Sequence, residues 1–276
     1  MGATFTINEI LSATGGTLVH QGAWDAFCGV STDSRTTQAG GLFIPLTGEK
    51  HDGHEFIPAA LRRGARGVLV EKRILKAAGV GAGFKPAHTI PAEITVIAIP
   101  DALTALGDLA RAWRARFGVP VVSITGSCGK TTTKEMIAAT LAPSFRVLKN
   151  RLNLNNLIGM PLTLLELEGT HEAAVVEMGM NAFGEINRLT RISCPTIGVL
   201  TNVHPAHTEG VGDIAGVARA KGELIHALDH GAALIYNADD PWVARLAQDF
   251  RGPKLSFGLN AAAHLRATDR QTRGRE

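Results

Sequence analysis

The run Gly126-Ser127-Cys128-Gly129-Lys130-Thr131-Thr132 constrains this chain more than any other segment. It follows an apolar, β-branched stretch, Val121-Val122-Ser123-Ile124-Thr125, and precedes Met136, Ile137, Thr140 and Leu141, which recur at helical spacing. A glycine-rich turn that joins a strand to a helix aims backbone N–H groups and the positive end of the helix at one point. Phosphate suits that point; Lys130 adds a mobile cation, and the Thr131 hydroxyl can reach Mg²⁺. The Walker spacing G-x-x-x-x-G-K-[ST] would place its first glycine at position 124, where this chain has Ile124. Its first glycine is instead Gly126, giving a shortened T-G-x-x-G-K-T-T loop. A plain strand-to-helix turn that happens to carry a lysine is the bland alternative. With strand, turn chemistry and helix all in place, the loop predicts a nucleoside triphosphate site.

The composition does not compete with that reading. With 276 residues the chain can hold two domains with cores of their own. Hydrophobic content of 45% and charged content of 19% are those of an ordinary soluble globular protein. The net charge of +3 owes its excess to Arg266, Arg270, Arg273 and Arg275; elsewhere bases and acids are mixed, which argues against a nucleic-acid partner. No apolar run approaches the roughly 20 residues of a membrane helix. Met1 to Leu11 lacks the basic and apolar regions of a signal peptide. Cys28, Cys128 and Cys194 are scattered and odd in number, so neither a disulfide framework nor a zinc cluster is indicated. A reducing cytoplasm is the default expectation.

The chain reads as α/β throughout. Residues 1–100 form a small α/β domain, with strands expected at 43–46, 67–70 and 93–99, a helix at 56–63 and a Gly/Pro-rich loop over 79–91. Asp101 is placed to cap a helix carrying Leu103, Leu106, Ala110, Trp113 and Phe117 on one face, and this helix is expected to open a second domain, 101–276. From Pro120 onward, strands at 121–125, 173–178, 196–201 and 232–236 alternate with helices, including one at 214–228. That rhythm predicts a mostly parallel sheet flanked by helices. In such sheets ligands gather beyond the carboxyl ends of the strands.

Those ends carry the candidates. Glu177 emerges from a buried strand and is either a Mg²⁺ ligand or a solvated carboxylate. His204 and His207 follow the next strand and are either metal ligands or simply exposed. Lys221 falls in the apolar stripe Val217, Leu224, Ile225, Leu228. Either it snorkels to water or it is held in the site and modified. Asn237 opens Asn-Ala-Asp-Asp-Pro, as a nucleotide contact or an ordinary Asx turn. Asn153, Asn155 and Asn156 require partners, from backbone or ligand.

Together these motifs resemble the Mur ligase family. The resemblance is carried by T-G-S-C-G-K-T-T-T-K-E-M (125–136), N-L-N-N-L-I-G-M-P-L-T-L-L (153–165), V-E-M-G-M-N-A-F-G-E-I (176–186), T-N-V-H-P-A-H-T-E-G-V-G (201–212), A-R-A-K-G-E (218–223) and N-A-D-D-P (237–241). S-T-D-S-R (31–35) and F-I-P-L-T-G-E-K-H-D-G-H (43–54) resemble the uridine-nucleotide-binding domain of these enzymes. The resemblance implies an ATP- and Mg²⁺-dependent amide ligase of peptidoglycan precursor synthesis that works through an acyl phosphate. The 177–186 and 206–212 runs favour the branch that adds D-alanyl-D-alanine to UDP-N-acetylmuramoyl-tripeptide over the diamino-acid-adding branch. It further implies that Gly126 to Thr132 hold the ATP phosphates, with Lys130 on the β/γ-phosphates and Asn237 near adenine. Thr131, Glu177 and His207 would bind magnesium, and Lys221 falls where the family carries a carbamylated lysine. Lys130, His207 and Lys221 are thus the implied catalytic set. Ser34, Arg35, Lys50 and His51, with Asn155, Asn156 and Asn181, are the implied contacts to the UDP-sugar peptide.

Family members have a third, C-terminal domain, which this resemblance does not include. Without it, nucleotide and UDP-substrate are expected to bind weakly and ligation to be poor or absent, as in a binding fragment or half of a split ligase. A P-loop kinase or ATPase would share the loop but would leave His207, Lys221 and the N-terminal motifs unexplained.

Overall fold

The computed structural model describes residues 2–48, 52–77, 91–205, 208–260 and 262–268. They fall into two units, Met1–Gly118 with Pro161–Thr170, and Val119–Met160 with His171–Glu276.

In chain order the first unit contains β1 (Thr4–Thr6), α1 (Ile7–Thr14), β2 (Thr17–His20), β3 (Ala26–Cys28), β4 (Val30–Ser31), β5 (Leu42–Phe43), a 3₁₀ turn (Gly53–Phe56), α2 (Ile57–Arg62), β6 (Gly67–Glu71), α3 (Lys72–Ala77), β7 (Thr95–Ile99) and α4 (Ala102–Arg114). Its main sheet has the order β2-β7-β6-β5-β4; β2 pairs antiparallel with β7 and the other pairs are parallel, while β1 and β3 form a separate ribbon. Phe43, Val68, Val70, Val96 and Ala98 bury their side chains against Ile57 and Ala60 of α2. The strand expected at 43–46 is the shorter β5, because Pro45 has no N–H for a ladder.

Asp101 caps α4, its Oδ1 accepting from Thr104 N at 2.7 Å. The helix, however, packs within the first unit rather than opening the second. The Trp113 ring lies 5.6 Å from Phe5 and 5.4 Å from Phe117, Arg116 stacks on Trp113 at 4.6 Å, and Trp113 Nε1 donates to Leu167 O at 3.0 Å. The division between units therefore falls at 118/119 rather than 100/101. An apolar face alone does not say which sheet it covers.

The second unit contains β8 (Val121–Thr125), α5 (Lys130–Leu141), β9 (Val147–Lys149), the start of α6 (Gly159–Leu164), β10 (Ala173–Glu177), α7 (Glu185–Ser193), β11 (Ile197–Leu200), α8 (Thr208–Val211), α9 (Ile214–Ala227), β12 (Ala233–Asn237), α10 (Pro241–Leu246), β13 (Lys254–Gly258) and β14 (Leu265–Arg266). Its sheet has the order β14-β13-β12-β11-β8-β10-β9 and every pairing is parallel. From β8 the chain runs out to β9, returns through β10, then crosses to β11 on the other flank of β8. The connection thus reverses around β8, which is where an open parallel sheet makes its ligand crevice.

Alternation along β8 sorts the helices onto opposite faces. Val122 and Ile124 pack with Ile137, Ala138 and Leu141 of α5. Ser123, pointing the other way, meets Ser193 of α7 with Oγ atoms 3.0 Å apart. Gly198 of β11 lets α9 come close, since a Cβ there would sit 3.2 Å from Leu228 Cδ2. The inner stripe of α5 is the buried Lys134 and Ala138 with the half-buried Ile137 and Leu141; Met136 is 65% exposed and Thr140 is exposed. The inner face thus differs from the run Met136, Ile137, Thr140 and Leu141, because a lysine occupies the deepest position.

Removing the α4 cap with Asp101→Ala is expected to cost about 1 kcal/mol. A urea titration should show a lower midpoint with an unchanged slope.

Candidate active site

The loop after β8 turns at Gly126, whose φ is +149° and where a Cβ would stand 2.0 Å from Thr201 Oγ1. Gly129, at φ +76°, starts α5, and among the described residues no side chain caps that end. The first amides of α5 therefore keep their N–H groups for an incoming acceptor. The tip of the loop is already held. Ser127 N donates to Asn202 O at 3.0 Å and Cys128 N to Asn202 Oδ1 at 2.8 Å, while Asn202 Nδ2 and Thr201 Oγ1 both donate to Cys128 O. The Ser127 hydroxyl exchanges hydrogen bonds with the His204 backbone at 2.9 Å. Lys130 Nζ folds back to Gly126 O at 2.9 Å and Ser127 O at 3.1 Å, so its charge already lies over the loop.

Parallel register sets Glu177 of β10 opposite Ile124 of β8, and Leu200 of β11 opposite Thr125. Glu177 is 2% exposed, so the solvated-carboxylate alternative does not hold. Its Oε2 accepts from Thr131 Oγ1 at 2.7 Å and its Oε1 from Asn155 Nδ2 at 2.6 Å. Asn150, fully buried, pairs with the Glu177 backbone: Oδ1 accepts from Glu177 N at 3.0 Å and Nδ2 donates to Glu177 O at 3.0 Å. The carboxylate and hydroxyl of Glu177 and Thr131 are hard oxygen donors side by side. They fit Mg²⁺, which takes one or two protein oxygens and completes its shell with phosphate and water.

Lys221 on α9 is 1% exposed and makes no hydrogen bond among the described residues. It does not snorkel. Burial lowers its pKa to about 8, Lys130 pushes the same way, and Glu185, Glu177 and Glu223 only partly oppose them. Two of those acids already serve backbone. Glu223 accepts from Gly184 N and Asn187 N at the start of α7, and Glu185 Oε2 accepts from Asn181 N at 2.6 Å.

Comparison with known proteins places this arrangement. The Mur ligase middle domain matches residues 124–275, and the Mur ligase family catalytic domain matches residues 27–114. This chain belongs to the Mur ligase family. The UDP-N-acetylmuramoyl-tripeptide–D-alanyl-D-alanine ligase of Bacillus subtilis is 40% identical over 237 residues, covering 86% of this chain and 49% of that protein. The crystal structure of MurF from Acinetobacter baumannii matches with a TM-score of 0.81 at 31% identity, over 93% of this chain and 54% of that one. The MurF ligase of Thermotoga maritima in complex with ADP matches with a TM-score of 0.71 at 28% identity, over 88% of this chain and 51% of that one. The chain spans about half the length of the curated relatives it matches.

Within this Mur ligase chain, the second unit brings together Gly126 to Thr132, Asn155, Glu177 and Lys221 around the end of β8. Two further asparagines have backbone partners for their side-chain oxygens. Asn156 Oδ1 accepts from Ile158 N and Gly159 N at the start of α6, and Asn237 Oδ1 accepts from Asp239 N at 2.9 Å in an Asx turn. Asn181 is exposed. In the first unit Ser34 is 8% exposed, and Arg35 forms an ion pair with Asp33 at 2.7 Å whose guanidinium holds that carboxyl below its ordinary pKa. Lys50, His51 and His207 lie outside the described residues. Sequence reading missed Asn202, Asn150 and Lys134. The last had a visible signal: Lys134 sits four residues after Lys130 and aligns with Ala138 and Leu141, the spacing that singled out Lys221.

Two outcomes follow from this geometry. Gly126→Ala must displace Thr201 or the loop, and is expected to weaken nucleotide binding at least about tenfold, roughly 1.4 kcal/mol, by titration calorimetry. For Lys221, the folded pKa of about 8 lies below the ordinary value of 10.5, so folding bears the burden of the buried cation below pH 8 and sheds it as pH rises toward 10.5. Unfolding free energy measured between pH 7.5 and 10 should therefore rise less steeply in Lys221→Met than in the unsubstituted chain. Parallel pH curves would show that Lys221 is not the source.

Proposed function

We propose that this chain acts in the ATP-dependent ligation of D-alanyl-D-alanine to UDP-N-acetylmuramoyl-tripeptide in the cytoplasm. The observation that carries the reading is the meeting of three features in one unit: an uncapped phosphate loop, the buried Glu177–Thr131 pair and the buried Lys221. A kinase or simple ATPase needs the first two but not a lysine sealed beside them.

In this reaction class the terminal carboxylate of the tripeptide takes the γ-phosphoryl group and ADP leaves. The dipeptide amine then attacks the acyl carbon and phosphate leaves. The demand on the protein is to place two anions together and neutralise the charge that grows between them. The open amides at the start of α5 hold phosphate oxygens, and Lys130 swings from Gly126 O and Ser127 O onto them. Mg²⁺, held by Glu177 and Thr131, would supply Lewis-acid neutralisation of the phosphoryl oxygens. His207 is the proposed ligand of a second magnesium, and Ser34, Arg35, Lys50, His51, Asn155, Asn156 and Asn181 are the proposed contacts of the UDP-sugar peptide. With a pKa of about 8, Lys221 is neutral in about a tenth of molecules at pH 7, against a far smaller share for an ordinary lysine. A neutral amine can add CO₂. The resulting carbamate would replace an unpaired buried cation with an anion facing Lys130.

The purified chain is expected to bind MgATP saturably and to lose that binding in Lys130→Ala. It should release phosphate only with both UDP-N-acetylmuramoyl-tripeptide and D-alanyl-D-alanine present. Binding without ligation reduces the function to that of a nucleotide- and substrate-binding fragment; no binding of MgATP overturns the reading.

A further inference from the structure

Lys134 is a fully buried lysine that the chemistry above does not use. All three of its N–H groups have acceptors in reach: Asn150 O at 2.8 Å, Leu152 O at 3.2 Å and Glu135 Oε1 at 3.3 Å. A buried ammonium is tolerated only with such partners. Here two of them are carbonyls of one loop, 150–155, and that loop's side chains grip Glu177.

Its conformation is not one the chain would adopt unaided. Leu152 has φ +50°, the left-handed region, and its side chain is 82% exposed, so no packing of its own holds it there. Such a residue persists where its surroundings over-determine it. Lys134 supplies that from inside, fixing the carbonyls on either side of Arg151. Asn150 then locks the loop to the Glu177 peptide on both N–H and C=O, and its Nδ2 also donates to Leu154 O at 2.9 Å. Asn155, at the end of the same loop, donates to the Glu177 carboxylate and passes its own carbonyl to Gly179 N at 2.8 Å.

We propose that Lys134 is a positioning residue for the metal-binding carboxylate: through the Asn150–Asn155 loop it sets the orientation in which Glu177 receives Mg²⁺. The proposal rests on the nucleotide–Mg²⁺ reading above. It makes α5 serve the site twice, with its first turn at the phosphates and its second turn holding the loop that aims the carboxylate. Outer-shell partners of this kind are typically worth 10–100-fold in metal affinity.

The test titrates Mg²⁺ against binding of a fluorescent ADP analogue to the full chain. Lys134→Met is expected to raise the Mg²⁺ midpoint at least about tenfold while metal-free nucleotide binding stays within about twofold. In a Glu177→Gln background the same substitution should add no further shift, because there is no carboxylate left to aim. A folded Lys134→Met protein with an unmoved Mg²⁺ midpoint, or an equal shift in the Glu177→Gln background, overturns the proposal and leaves the nucleotide site standing. Should Lys134→Met not fold, Asn150→Ser cuts the same loop from Glu177 and carries the same two outcomes. Failure of the unsubstituted chain to bind the analogue at any Mg²⁺ concentration overturns the nucleotide site itself, and this proposal with it.

Discussion

The second unit is organised around a buried carboxylate. Glu177 ends a strand buried along its whole length, and at 2% exposure it cannot rely on water for its charge. Its three partners come from two places: Thr131 from the first turn of α5, and Asn155, to the carboxylate, with Asn150, to the backbone, from the loop after β9. Removing any one leaves a buried polar group unpaired, which is far more unfavourable than the loss of an exposed hydrogen bond. The strand end, the helix start and the asparagine loop are therefore held in one arrangement by a single charge.

The same physics explains why two lysines in this unit differ. Lys134 and Lys221 are both buried. Lys134 has two carbonyls and a carboxylate for its three donors and acts as structure. Lys221 has no hydrogen-bond partner among the described residues, and burial moves its pKa down to about 8. An unpaired buried amine whose proton is loosely held is suited to chemistry; a fully paired one is suited to holding a loop.

Much of this was legible before the fold. The alternation of strands and helices after Pro120, the turn chemistry at Gly126 and Gly129, and the cap at Asp101 are local properties, and the structure shows each within a residue or two of its expected place. Glu177 and Lys221 could be named because one followed an apolar run and the other interrupted an apolar stripe. What local patterns lacked was partner identity. The helix capped by Asp101 belongs to the first unit because Trp113 meets Phe5 and Leu167, residues far from it in the chain. Asn156 and Asn237 carry ligand-like motifs yet spend their side-chain oxygens on neighbouring amides.

The sequence by itself determined the strands and helices around the glycine-rich turn, the turn itself and the family, because these depend on spacing and side-chain type over a few residues. Only the tertiary structure decided that β8 lies between β10 and β11, so that Glu177, Asn202 and Lys221 converge on one loop. It also decided that Asn202 holds the loop tip and that Lys134 is an inner rather than a surface residue. The physical reason is that hydrogen bonds and burial across a parallel sheet join residues tens of positions apart. Their energies depend on who the partner is, which no short window of sequence contains.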